Sequence, residues 1–237
     1  MSVLDAISRN LTAVRQRISD AAARSGRQAS QVRLIAVTKY VGLPEIKALV
    51  AAGCRELGES RPQELWEKAA ALGTPDSSGT PTWHLVGHLQ RNKVRRTLPL
   101  AAWVHSVDSV RLLDEIETQA ASLGCRPRVL LEVNVSGDST KHGFAAAQLE
   151  PLLPRFAELR SVAIRGLMCM AAREGDLDVA RRNFADFRGL RDRLRRVAPE
   201  NVSLDELSMG MSGDFEVAIE EGATMVRVGS ALFEGTD

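Results

Sequence analysis

Val32-Arg33-Leu34-Ile35-Ala36-Val37-Thr38-Lys39-Tyr40 gathers five apolar residues, three of them β-branched, into a short run that breaks at Gly42 and Pro44. Such a run reads as a strand buried on both faces, the kind found inside parallel sheets. Its carboxyl end carries Thr38, Lys39 and Tyr40, and barrels and open α/β sheets collect ligands at the carboxyl ends of their strands. An amine held there against a low-dielectric core is disfavoured as ammonium. Its pKa then drops from about 10.4 and it becomes a nucleophile. Taken alone, the stretch also fits a lysine that snorkels to solvent, the commoner outcome.

Working outward, the same unit recurs. Upstream, Leu4, Ile7, Leu11, Val14 and Ile18 fall at three- and four-residue steps, an amphipathic helix over 3–24 that Gly26 stops. Downstream, strand-like runs occupy 54–59, 83–87, 103–107, 128–135, 164–170, 204–209 and 225–229. Between them lie helical patterns from Pro44 to Gly53 and at 62–72, 88–97, 108–123, 145–159, 176–197 and 215–221, with a polar loop at 73–82. Strict alternation requires a parallel sheet with helical crossovers. Eight such units in a chain of 237 residues are what a closed (β/α)8 barrel needs. The expectation is an α/β protein, a single (β/α)8 TIM barrel over 1–237 with an extra N-terminal helix. An open doubly wound sheet is the alternative.

Thirty-one basic against thirty acidic side chains give a net charge of +1, with no global bias toward nucleic acid or an acidic membrane. The Arg-rich stretches at 91–96 and 181–196 read as solvated helix faces, since acids are interspersed among them or they lie on outer helices. Three scattered cysteines, Cys54, Cys125 and Cys169, form no C-x-x-C pair, which suits reduced thiols in the cytoplasm. No apolar run reaches membrane-spanning length, and the start lacks a signal-peptide pattern.

In a barrel all strand ends share one mouth. Here they carry Thr38 and Lys39, Glu59 and Ser60, Gly87 and His88, Ser106 and Asp108, Asn134 and Ser136, Met168 and Met170, 208–212, and Gly229 with Ser230. The last two are the most specific. Ser208-Met209-Gly210-Met211-Ser212-Gly213-Asp214 and Arg227-Val228-Gly229-Ser230 place glycines and hydroxyls on the strand-seven and strand-eight turns, where barrels commonly bind phosphate. A reactive lysine and a phosphate cradle on one mouth suggest pyridoxal 5′-phosphate (PLP) held as a Schiff base. His84 reads as a residue that packs or hydrogen-bonds inside the barrel, or as a base. Asn134 contacts either the cofactor ring or its own loop backbone. His88 and His105 share metal-ligand spacing with no Cys or His neighbour, so no metal is expected.

Ala36-Val37-Thr38-Lys39, Trp83-His84-Leu85-Val86-Gly87-His88-Leu89-Gln90-Arg91-Asn92-Lys93, His105-Ser106-Val107-Asp108 and the stretch 207–230 resemble the pyridoxal phosphate homeostasis proteins. The likeness runs from the first helix to the carboxyl terminus. It implies a barrel like the N-terminal domain of alanine racemase, of PLP fold type III, with Lys39 carrying the cofactor. It implies that Met211, Ser212, Gly229 and Ser230 surround the phosphate, and that Arg227 lies near the pyridine nitrogen or the phosphate. Ser60, His84 and Asn134 complete the expected cofactor-binding set. One departure stands out: where the family usually has Gly-Glu-Asn-Tyr, this chain has Gly58-Glu59-Ser60-Arg61. The shorter Ser60 would act only through water.

The expectation is a monomeric cytoplasmic carrier in PLP homeostasis and delivery, serving free amino acids or apo PLP enzymes. Only ten residues follow Arg227. Racemising fold relatives carry a further β-domain there, so little amino-acid turnover is expected. The alternatives are a PLP-dependent amino-acid racemase or lyase and, further off, a cofactor-free aldolase-like barrel.

Overall fold

The computed structural model describes residues 2–72, 80–135, 142–170 and 176–236. Eight parallel strands close into a barrel in sequence order. They are β1 (Arg33–Val37), β2 (Glu56–Glu59), β3 (Thr82–Leu85), β4 (Trp103–Val107), β5 (Arg128–Glu132), β6 (Ala163–Met168), β7 (Glu206–Ser208) and β8 (Met225–Val228). The ring closes where β1 pairs with β8 over four registered residues, Arg33↔Met225 to Ala36↔Val228. Closure excludes the open doubly wound alternative.

The helices are α1 (Val3–Arg24), α2 (Leu43–Ala51), α3 (Pro62–Leu72), α4 (Val94–Thr97), α5 (Val110–Leu123), α6 (Ala146–Ala157), α7 (Leu177–Val197) and α8 (Phe215–Glu220). Among the described residues a 3-10 turn, Ser230–Leu232, is the one element after β8. The N-terminal helix is present, and its position has a reason. It packs against both α2 and α8, covering the outside of the β8–β1 seam that no eighth crossover helix covers. Its buried stripe is Ile7, Leu11, Val14 and Ile18, while Arg17 and Arg24 pair with Glu216 and Glu220 of α8. The expected basic helix over 88–97 is shorter than its pattern. Residues 88–90 are irregular, and a 3-10 turn Arg91–Lys93 leads into one α-turn.

Two cores result. The large one lies between the sheet and the helices. A small one, of Ile35, Trp103, Leu130, Met168 and Met225, fills the barrel lumen. Because side chains alternate along each strand, the residues two positions further on, Val37, Glu132 and Arg227, point into the lumen one layer nearer the carboxyl mouth. Among the described residues no helix is long and apolar enough to cross a membrane.

Candidate functional site

At the carboxyl mouth β1 ends at Val37 and turns outward through Lys39 and Tyr40. What fixes this turn lies on the outer side of the sheet. Lys68 of α3 is nearly buried, and its Nζ donates to the Thr38 carbonyl at 2.8 Å and to Glu59 Oε1 at 2.7 Å. The Thr38 hydroxyl donates to the same carboxylate oxygen. A largely buried ion pair therefore grips the peptide directly ahead of Lys39. The Lys39 side chain itself is exposed, with Nζ 4.7 Å from the Tyr40 ring centroid. The expectation of an amine held against the low-dielectric core is thus not met in this geometry. The strand stops two residues before it, so the lysine stands on a turn rather than against the core.

On the other side of the seam, the turns after β7 and β8 form one unit. Asp214 Oδ1 accepts from the Met211 N–H and Met211 O accepts from the Asp214 N–H, which folds 211–214 into a tight turn. Gly210 precedes it at φ +92°, where a Cβ would lie 2.6 Å from Ala218 Cβ. The Gly229 N–H donates to Ser212 Oγ at 3.2 Å, tying the two turns together. A Cβ on Gly229 would meet the Val37 carbonyl at 3.2 Å, so β1 and this turn sit in near contact. Among the described residues the N–H groups of Ser212, Gly213 and Ser230 find no acceptor within the chain. Hydroxyls and amides left without an acceptor in this way can receive an anion.

The expected residues thus separate by depth. Lys39, Ser60, Asn134, Met211, Ser212, Gly229 and Ser230 stand at or just beyond the carboxyl ends of β1, β2, β5, β7 and β8. Met211 is exposed, and the Asn134 N–H donates to the Phe144 carbonyl. Ser136 lies outside the described residues. Arg227 is buried one layer down, where Nη1 donates to Ser208 Oγ at 2.6 Å and Nη2 to the Cys169 carbonyl at 2.8 Å. His84 is deeper still and fully buried, so it does not face the mouth.

His84 instead belongs to a hydrogen-bonded chain that spans the lumen. Its Nε2 meets Glu56 Oε2 at 2.7 Å and its Nδ1 meets His105 Nε2 at 2.9 Å. His105 Nδ1 meets Ser208 Oγ at 2.9 Å, and Ser208 accepts from Arg227. Burial keeps both imidazoles neutral, so each carries one N–H. The Glu56 carboxylate only accepts, so the sense runs Arg227 to Ser208 to His105 to His84 to Glu56. Burial lowers the pKa of each, and for His105 the neighbouring His84, Arg227 and Arg33 lower it further, to well below 6.5. Burial pushes Glu56 up, but the His84 bond and the Arg33 and Arg128 charges outweigh this and hold it below 4.5.

A stability prediction follows from the sign. The unfolded chain takes up protons on these histidines near pH 6.5, whereas the folded chain does so only at lower pH. Stability is therefore complete above pH 6.5 and declines below it, by up to about 1.4 kcal/mol per pH unit for each ring. Glu132, raised above 4.5 by burial and by Asp108, acts in the opposite sense between 4.5 and its own higher pKa. We expect the thermal midpoint to fall between pH 6.5 and 5, and His105→Gln to flatten that slope. A slope unchanged in His105→Gln would contradict the assignment.

The family model for the N-terminal domain of alanine racemase matches residues 4–237. A pyridoxal phosphate homeostasis protein of Aquifex aeolicus is 40% identical over 223 residues, 94% of this chain and 95% of that one. Its counterpart in Escherichia coli K12 is 35% identical over 235 residues, 98% of this chain and 97% of that one. Among solved structures, PipY of Synechococcus elongatus PCC7942 with PLP bound matches with a TM-score of 0.83 at 38% identity, covering 96% of this chain and 99% of that one. An alanine racemase of Clostridium difficile 630 matches with a TM-score of 0.74 at 17% identity, covering 96% of this chain but 56% of its own length, a likeness of fold alone.

Proposed function

The chain belongs to the pyridoxal phosphate homeostasis family, on the barrel of the alanine racemase N-terminal-domain family, and from that premise we propose that it binds PLP as a Schiff base on Lys39 and holds it for cellular supply. The observation that carries this reading is the seam: a lysine just past β1 stands beside the joined β7 and β8 turns, whose amides and hydroxyls suit a phosphate. The residues present fit the cofactor. Ser212, Gly213 and Ser230 offer N–H donors, Gly229 leaves its approach free of a Cβ, and Lys39 is an accessible amine. When bound, PLP supplies an electrophilic aldehyde carbon for an amine to attack.

The protein's own part is to position. Lys68 and Glu59 hold the Thr38–Lys39 turn, and Ser208 and the Cys169 carbonyl hold Arg227 as a buried cation beneath the mouth. A fixed cation disfavours protonation of a nearby ring nitrogen. That weakens the electron sink carbanion chemistry needs and favours storage over turnover. The recipients would be free amino acids or apo PLP enzymes, and the working form a cytoplasmic monomer of one barrel unit over 1–237.

The test is to add PLP to purified protein, reduce with borohydride, and locate the label by peptide mass analysis, with racemisation and transamination of common amino acids followed in parallel. Label on Lys39 with negligible turnover is expected. Label elsewhere overturns the site. A robust Lys39-dependent rate overturns the carrier role and favours the racemase or lyase.

A further inference from the structure

Three side chains remote in sequence converge on one face of the mouth without a part in the lumen chain or the phosphate turns. His88 follows β3, Asp108 follows β4, and His142 lies beyond β5. Asp108 Oδ2 is 3.0 Å from His88 Nδ1 and 3.6 Å from His142 Nδ1, and one ligand atom from each residue lies within 4.8 Å of the other two. The two imidazoles stack nearly parallel, with centroids 4.4 Å apart and planes 17° apart. We propose that His88, Asp108 and His142 form a binding site for a divalent transition-metal ion of the zinc class.

Hydrogen bonding alone does not account for the arrangement. His88 satisfies Asp108 at 3.0 Å, but 3.6 Å is too long for a second bond from His142. A shared divalent ion accounts for both Nδ1 atoms lying close to Oδ2, and a turn of the two exposed rings out of their stack brings both in-plane lone pairs onto it. Ligand atoms at about 2.0–2.1 Å from zinc stand roughly 3.3–3.4 Å apart, and the two measured edges bracket that spacing. Two imidazoles and a carboxylate are also the donor set zinc prefers when a fourth position stays open to solvent. Both histidines are exposed, whereas the Asp108 side chain is almost covered.

The site is also built from its surroundings. Ser109 Oγ donates to Asp108 Oδ1 at 3.0 Å and so turns Oδ2 toward the imidazoles. The same hydroxyl caps α5 by accepting from the Leu112 N–H, so it is itself fixed. The segment bearing His88 is anchored by Ser106 Oγ, which donates to the Gly87 carbonyl at 2.6 Å. A Cβ on Gly87 would fall 2.2 Å from the Ser60 carbonyl, so this turn packs backbone on backbone. His142 leads into Phe144, whose N–H and carbonyl bond back to Glu132 and Asn134. Three rigid anchors thus present three donors, and a metal there would tie the ends of β3, β4 and β5 together.

The experiment uses tag-free full-length protein, stripped with a chelator and then titrated separately with Zn²⁺ by calorimetry and with Co²⁺ by visible absorption. One equivalent should bind, with the intense ligand-field bands of four-coordinate cobalt and no thiolate charge-transfer band. His88→Ala and His142→Ala should each weaken binding by roughly tenfold or more. Both residues are exposed, so an unchanged circular dichroism spectrum separates ligand loss from misfolding. Cys125→Ser should bind as the parent does. No stoichiometric binding by the parent, or binding that survives both histidine substitutions, overturns the site.

Discussion

Lys39→Ala is expected to abolish the imine absorption that PLP gives with the parent protein, leaving only weak, non-covalent uptake through the phosphate turns. The argument is positional. The chain has five lysines, at 39, 47, 68, 93 and 141. Lys68 spends its donors on Thr38 and Glu59, and Lys39 alone stands just past β1, next to the turn that Gly229 opens. The side chain is exposed and its removal breaks no hydrogen bond among the described residues, so stability should change by no more than about 0.5 kcal/mol. Absorption titrations of parent and variant with PLP, beside their melting curves, check both halves. An imine band of full height in a well-folded Lys39→Ala would remove the central residue of the proposal.

Lys68→Met is the largest expected stability change. Glu59 is completely buried, and Lys68 Nζ at 2.7 Å is its cation. Its Oε2 has no partner among the described residues, so the pair is already sparingly satisfied. Removing the lysine leaves a carboxylate in the low-dielectric shell between sheet and α3, a loss of about 3–5 kcal/mol. In a chain of this size that lowers Tm by roughly 6–20 °C. Replacing both members, as Glu59→Met with Lys68→Met, should recover most of it, because the desolvation cost then disappears with the charges. The single variant should also retain less covalent PLP than its stability alone dictates, since the Thr38 carbonyl loses its anchor. A double variant as unstable as the single one would show that packing, and not charge, holds this corner.

Much of the architecture is legible from residue order. Alternating apolar runs and amphipathic stretches locate every strand, and glycines and prolines place most of the breaks. The short helix after β3 is where pattern misleads: basic residues suit a helix over 88–97, yet His88 turns to Asp108 and helical geometry starts only at Arg91. The turns after β7 and β8 are legible because glycine and serine at strand ends carry few other meanings. The exposure of Lys39 is not, since it depends on where β1 stops relative to the turn. Lys68 leaves a faint trace, a lysine on the same stripe as the buried Leu65 and Ala69 of α3. His105, a lone polar ring in the fully buried Trp103–Val107 strand, leaves a stronger one. The meeting of His88 with His142 leaves none, because only barrel closure sets those loops side by side.

The lumen chain from Arg227 to Glu56 makes the barrel's interior a one-way arrangement. No residue along it can be reversed by itself: inverting either imidazole would set two donors or two acceptors face to face. Position 105 must therefore give a proton on one side and take one on the other. Glutamine meets that demand, while methionine, lysine and glutamate each break it differently. Protonation of the lower carboxylate would register at the guanidinium at the far end of the chain without any backbone shift.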